Sequence, residues 1–150
     1  MFDTRLCVDD ETRPDFWVLE APLIWIDTVY GRVEVPVGFQ TDLASIPRPL
    51  RNLPSLDPNG LSRRPAVVHD WLYAWRGWTK ARADQFLRDA LLAEGVSAVT
   101  AASFYYAVKW FGGSAWASDQ LALSTQSFVS DEAYAAWLAA QPGRPRPPSN

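Results

Sequence analysis

The fold of this chain is decided by residues 62–95, which read SRRPAVVHDWLYAWRGWTKARADQFLRDALLAEG. The pattern predicts two helices joined by a short turn at Gly77-Trp78, the first running from about Ser62 to Trp75. Thr79 is the predicted N-cap of the second helix, which is expected to end at Gly95. Because the connection is short, the two helices should pack against each other as an antiparallel hairpin.

The second helix of this hairpin has one apolar face. The residues that recur at helical spacing are Ala83, Phe86, Leu87, Ala90 and Leu91. The stripe predicts which side of the helix faces the core.

Three polar side chains should meet between the two helices. His69 lies about two turns before the bend and Asp84 just under two turns after it, so the two are nearly level. Helix axes about 8–10 Å apart let an imidazole and a carboxylate meet. Tyr73 follows His69 by one helical turn and shares its face, whereas Asp70 is rotated by about 100°. The spacing therefore predicts a cluster of His69, Tyr73 and Asp84, with Asp70 beside it.

Such a cluster has two readings that the spacing alone leaves open. A histidine braced by a carboxylate is typical of a general base, since its ordinary pKa of about 6.5 lets it accept a proton near neutral pH. Asp70 could then hold a cation that polarises a substrate carbonyl. Alternatively, His69 is a hydrogen-bonded core residue, and Asp84 pairs with a neighbouring Arg82 or Arg88.

The first third of the chain is typical of short strands. Apolar runs at residues 16–19 and 23–26 are bounded by proline and aspartate. A turn at Tyr30-Gly31 leads into residues 32–37, where Val33, Val35 and Val37 alternate on one face. Pro36 places this strand at an edge or ends it. These features predict a small antiparallel β-meander.

A long irregular segment, residues 38–60, separates the meander from the helices, and long loops of this kind are often functional. Two interpretations stay open. Thr41-Asp42 could cap a turn through side-chain oxygens. Alternatively, Gly38 lets the backbone approach the His69 site while Asp42 joins Asp70 there.

Two further helices should follow the hairpin, one from about Ser97 to Phe111, stopping at Gly112-Gly113, and one from a Ser130 cap through Ala140. The predicted fold class is therefore α+β, with one domain over residues 1–140 and a proline-rich tail over residues 141–150.

Composition excludes several classes of protein. With one cysteine and one histidine, the chain has neither an intramolecular disulfide nor the ligands of a structural zinc site. A net charge of −3 argues against nucleic acid as a partner. Residues 97–111 are too short and polar to span a bilayer, and the N-terminus lacks a signal-peptide-like run, so synthesis and folding in a cytoplasm are expected.

Two segments carry a resemblance to a known family. Residues 35–48, VPVGFQTDLASIPR, and residues 68–73, VHDWLY, resemble a family of uncharacterised bacteriophage and prophage proteins classed as a domain of unknown function. The resemblance covers roughly Phe16 to Trp116. It implies phage or prophage origin and one site, but no established activity. On this basis we expect a virion- or tail-associated protein that is made in the host cytoplasm and incorporated in the virion beside other phage structural proteins. The aromatic richness of the chain suits such interfaces.

A second resemblance concerns chemistry. His69-Asp70-Trp71-Leu72-Tyr73, followed by Ala83-Asp84-Gln85-Phe86, is similar to the two catalytic helices of secreted and bacterial phospholipase A2 enzymes. In that family the histidine activates water, the adjacent aspartate binds calcium, and the tyrosine and second-helix aspartate brace the histidine. The resemblance implies these roles for His69, Asp70, Tyr73 and Asp84.

The chain departs from that family at two points. Leu72 and Ala83 stand where the family's disulfides join the helices, and Pro54 to Arg64 replace its glycine-rich calcium loop. Calcium takes about six to eight oxygen ligands, some of which Asp42 and Thr41 could supply. The functions under consideration are therefore a virion or tail protein, a calcium-assisted hydrolase of lipids or other esters used in entry or lysis, and a small module that binds a host factor.

Overall fold

The computed structural model describes residues 1–9, 17–41, 60–118 and 127–141. Its strands are β1 (Val8–Asp9), β2 (Trp17–Leu19), β3 (Leu23–Asp27), β4 (Gly31–Val35) and β5 (Gln40–Thr41). Its helices are α1 (Arg63–Trp75), α2 (Lys80–Ala93), α3 (Ala98–Phe111), α4 (Gly113–Ser118) and α5 (Asp131–Ala139). Short antiparallel strands thus precede several helices, and the predicted α+β class is confirmed. The tail after Gln141 lies outside the described residues, so the domain boundary stays a prediction.

The strands are antiparallel as expected, but they form two small sheets rather than one meander. β3 and β4 make a hairpin in which Trp25 lies opposite Val33. Gly31 adopts a φ of +72° at its turn, a conformation that glycine reaches without strain. β2 instead pairs with β1 and with β5. The alternation expected through Val37 stops early, because β4 ends before Pro36 and Val37 is exposed.

The helical hairpin follows the prediction closely. The Thr79 hydroxyl accepts a hydrogen bond from the Arg82 amide at the start of α2, and Gly95 takes a φ of +89° just beyond its end. The apolar stripe of α2 is wholly buried: Ala83, Phe86, Leu87, Ala90 and Leu91. This burial holds α2 between α1 and α3, so the position of its polar residues is fixed.

Aromatic contacts join the β3–β4 hairpin and α5 to the helical hairpin. The rings of Trp25 in β3 and Phe86 in α2 meet edge to face, with centroids 5.2 Å apart. Trp71 in α1 packs in the same way against Trp137 in α5, at 5.5 Å. The β3–β4 hairpin and α5 are therefore anchored to the α1–α2 pair.

Among the described residues, the C-terminal half contains a short helix that was not expected. α3 and α5 begin at the predicted caps, Ser97 and Ser130, each of which accepts a hydrogen bond from a backbone amide. The pair Gly112-Gly113, which was expected only to end α3, also begins the short helix α4. Among the described residues, no helix has both the length and the apolar character needed to cross a bilayer.

Candidate functional site

The site is built around His69, near the middle of α1. Its ring is fully buried, with 0% of its surface exposed. Its Nε2 atom lies 3.1 Å from Oδ1 of Asp84 on α2, which is hydrogen-bonding distance. The level placement predicted from spacing is therefore found in the structure.

Asp84 accepts hydrogen bonds from several sides and is itself almost enclosed. Tyr73 donates its hydroxyl to Oδ1 over 2.5 Å, so the tyrosine and the histidine share one oxygen. Lys80 donates to Oδ2 over 2.6 Å and also to the Val108 carbonyl oxygen over 2.8 Å. Asp84 thus pairs with neither Arg82 nor Arg88, the partners considered from sequence.

The electrostatics fix the protonation states of the pair. Burial lowers the pKa of His69, and the opposing hydrogen bond with Asp84 does not offset it. Burial alone would raise the pKa of Asp84, but hydrogen bonds from His69, Lys80 and Tyr73 together lower it. Near pH 7 the carboxylate is therefore ionised and the imidazole neutral. Because an ionised carboxylate only accepts, we assign the ring hydrogen to Nε2, which leaves Nδ1 as the basic nitrogen.

Asp70, the expected cation ligand, faces the strand side of the site. Its Oδ2 accepts a hydrogen bond from the hydroxyl of buried Thr41 in β5. Asp42, the second expected ligand, lies outside the described residues. Within the described ranges, no three His, Cys, Asp or Glu side chains lie close enough to hold a metal ion. These residues alone do not make a calcium site, since calcium needs about six to eight oxygens.

Gly38 lies against α5. It adopts a φ of +80°, and a Cβ there would lie 2.9 Å from Cβ of Ala133 on α5. Gly38 therefore allows the chain just before β5 to approach α5, and the interpretation that it brings the backbone to the His69 site stays a prediction. Thr41 links this segment to the site through its hydrogen bond to Asp70.

Two contributors to the site were not identified from the sequence. Lys80 precedes Asp84 by one helical turn on α2, and this spacing for an ion pair was available in the sequence. Gly112 gave no such signal. A Cβ at Gly112 would lie 2.8 Å from the Tyr73 hydroxyl oxygen and 2.4 Å from the Val108 carbonyl oxygen. The absence of a side chain at Gly112 thus leaves room for the tyrosine that braces Asp84.

The arrangement has the parts of a histidine general base. A neutral imidazole is oriented by a carboxylate, and the carboxylate is held by a phenol and an ammonium group. The rings of His69 and Tyr73 also touch, with centroids 4.1 Å apart. The imidazole has little freedom to rotate, which is what positioning a base requires.

The chain belongs to the family described as Protein of unknown function (DUF1353), whose model matches residues 17–108. The matched segment runs from the first residue of β2 into α3, and it includes His69, Tyr73 and Asp84 with their partners Lys80 and Val108. No curated protein matches this chain. No solved structure matches it either.

Proposed function

We propose that this member of the DUF1353 family is a hydrolase of lipids or other carboxylic esters, with His69 as its general base. The observation that carries the proposal is the shared oxygen of Asp84, which lies 3.1 Å from His69 Nε2 and accepts the Tyr73 hydroxyl. A core histidine needs one hydrogen-bond partner to satisfy its Nε2. Here the partner is an ionised carboxylate that also accepts hydrogen bonds from Tyr73 and Lys80. A histidine with a purely structural role would not require these additional donors.

The reaction follows from the assigned tautomer. Nδ1 of His69 takes a proton from water as the water oxygen attacks the ester carbonyl carbon. The resulting imidazolium is stabilised by the negative charge of Asp84. When the carbon–oxygen bond to the alcohol breaks, the same proton passes to the leaving oxygen, and the neutral base is restored. Since His69 is fully enclosed, hydrolysis also requires that the substrate displace groups covering the ring.

Calcium belongs to this proposal as a prediction about the reaction. Among the described residues, the oxygen ligands offered for calcium are the carboxylate of Asp70, which follows His69 in the sequence, and the hydroxyl of Thr41, which donates a hydrogen bond to Asp70. The measurement is hydrolysis with calcium and with a chelator present. No step above depends on the ion.

The test is hydrolysis of phospholipid vesicles and of a soluble nitrophenyl ester by the purified full chain. His69→Gln keeps an amide donor for Asp84 but removes the base, so it should lower the rate by about 100-fold or more. The matched control is Asp89→Asn, which changes another carboxylate of α2, one that accepts the Tyr30 hydroxyl away from the site. Equal rates for wild type and His69→Gln, with both proteins folded, would exclude the proposal.

A second candidate function rests on a different observation, an exposed aromatic surface on α3. Tyr106 and Trp110 lie one turn apart and stack, and Trp110 and Phe111 are each 68% exposed. Aromatic residues exposed in this way are typical of protein interfaces. They support a bacteriophage virion or tail protein that packs against other virion proteins after synthesis in the host cytoplasm. Mass spectrometry of purified virions tests this, and virions lacking the chain would contradict it.

A further inference from the structure

A groove lies on the side of the molecule formed by the β3–β4 hairpin, the end of α1, and α5. Its volume is about 610 Å³. Aromatic rings dominate its lining: Tyr30, Trp71, Trp75, Trp78 and Trp137. None of the residues that line it belongs to the hydrogen-bond network around His69, so a proposal about this groove does not rest on the proposed hydrolase activity.

Small residues keep this groove open. α5 contributes Ala133 and Ala136 to the lining, and its C-cap residue Ala140 follows at helical spacing. Opposite, the Trp75 ring folds back over the turn, where a Cβ at Gly77 would lie 2.0 Å from it. The tryptophan ring can occupy this place only because Gly77 has no side chain.

The last described residue of the chain, Gln141, is part of the groove lining. The next nine residues, 142–150, read PGRPRPPSN and contain four prolines and two arginines. An occupant supplied by this segment therefore starts beside a residue of the groove lining.

Chemistry favours that segment as the occupant. Proline-rich peptides bind grooves lined by aromatic rings, because their extended left-handed helix is formed in advance and loses little entropy on binding. Pro142-Gly143 has the sequence of a type II turn, which would reverse the chain after α5. Residues 144–148 would then span about 16 Å at about 3.1 Å each. The nine residues of α5 span about 14 Å.

Charge plays a smaller part. The lining includes one cation, Arg32, and one anion, Glu34, which pair at 2.5 Å and are both exposed. Glu34 can accept a second guanidinium from Arg144 or Arg146, since a carboxylate offers about four acceptor sites. Most of the affinity must come from proline rings on indole faces.

We propose that the aromatic groove between the β3–β4 hairpin and α5 is a binding site for proline-rich segments, and that residues 142–150 of the same chain occupy it. The segment is then an internal ligand, which any proline-rich partner must displace. The effective concentration of a ligand tethered this closely is in the millimolar range.

In the test, Ser149→Cys supplies a cysteine in the full chain, and a nitroxide spin label is attached to it. Cys7→Ser removes the exposed cysteine of the natural sequence. Proton NMR then follows the tryptophan indole N–H signals, which the spin label broadens when it is near. We expect strong broadening for Trp75 and Trp137 and little for Trp110, which lies on α3 outside the groove.

A matched pair of variants makes the result specific. Ala136→Leu fills the groove from α5, whereas Ala135→Leu adds the same side chain at a neighbouring position that does not line it. The first should abolish the selective broadening and the second should leave it. Three results would overturn the proposal: equal broadening in both variants, equal broadening of Trp110 and the groove tryptophans, or broadening only between separate chains in a mixed sample.

Discussion

The pH dependence of stability offers a direct test of the His69 environment, because this chain has a single histidine. Burial lowers the pKa of His69 in the folded state, whereas the unfolded chain should show the ordinary value of about 6.5. Between these two values the unfolded state binds more protons than the folded state. The free energy of unfolding must therefore fall as the pH falls below about 6.5, and the loss ends only at the lowered folded pKa.

The pH-dependent loss in the free energy of unfolding has an upper limit, which is set by protonation of His69 in the unfolded chain. If the folded ring stays neutral throughout, protonation of the unfolded chain removes about 1.4 kcal/mol between about pH 7.5 and about pH 5.5. The stability supplied by the lowered pKa of Asp84 is lost only at more acidic pH, as the pH falls below about 4. The contribution of His69 can thus be read without interference from that carboxylate.

The assay is urea unfolding of wild type and His69→Gln at these two pH values. Wild type should lose up to about 1.4 kcal/mol, and the variant should lose almost none, because it lacks the titrating ring. NMR of the ring nitrogens should show hydrogen on Nε2 in the folded protein. The same pH-dependent loss in both proteins, or a folded ring that titrates near its ordinary pKa, would refute the reasoning about burial.

Further substitutions and their controls test the site and the neighbouring core. Asp84→Ala removes the acceptor of two buried donors and should lower the free energy of unfolding by about 3–5 kcal/mol; a denaturation curve indistinguishable from that of Asp89→Ala would contradict this. Gly112→Ala should cost about 1–3 kcal/mol, since its Cβ would approach a backbone oxygen to 2.4 Å. Gly113→Ala, with nothing within 4 Å, should cost nothing, and equal melting temperatures for the two glycine variants would show that the space is not restricted. Phe86→Ala should cost about 3–5 kcal/mol in calorimetry, and a loss below about 1 kcal/mol would mean that its cavity closes.

Local signals predicted the helices well for a physical reason. Caps such as Thr79 and Ser130 satisfy backbone amides within their own helix, so their effect needs no distant partner. The meeting of His69 with Asp84 was also within reach of the sequence. A short turn constrains two helices to lie side by side, and residues at equal distance from it become level.

The division of the strands into two sheets could not be predicted from local sequence signals. One partner of β2 is β5, which follows it only after the complete β3–β4 hairpin. An alternating pattern shows which face of a strand is buried, but it does not name the neighbouring strand. The same limit applies to the contact of Gly38 with Ala133, which joins residues far apart in the chain and has no signal in the local sequence.

The sequence alone determined the α+β class, because each strand and helix shows its own local pattern. It also determined the helical hairpin and the convergence of His69 and Tyr73 on Asp84, because these depend on spacing within about 15 residues of one turn. Tertiary structure alone decided that the imidazole is sealed from solvent and that Asp70 meets Thr41. It also decided that Gly112 makes room for the tyrosine hydroxyl. Burial and close approach depend on atoms brought from elsewhere in the chain, and spacing along one helix carries no information about them.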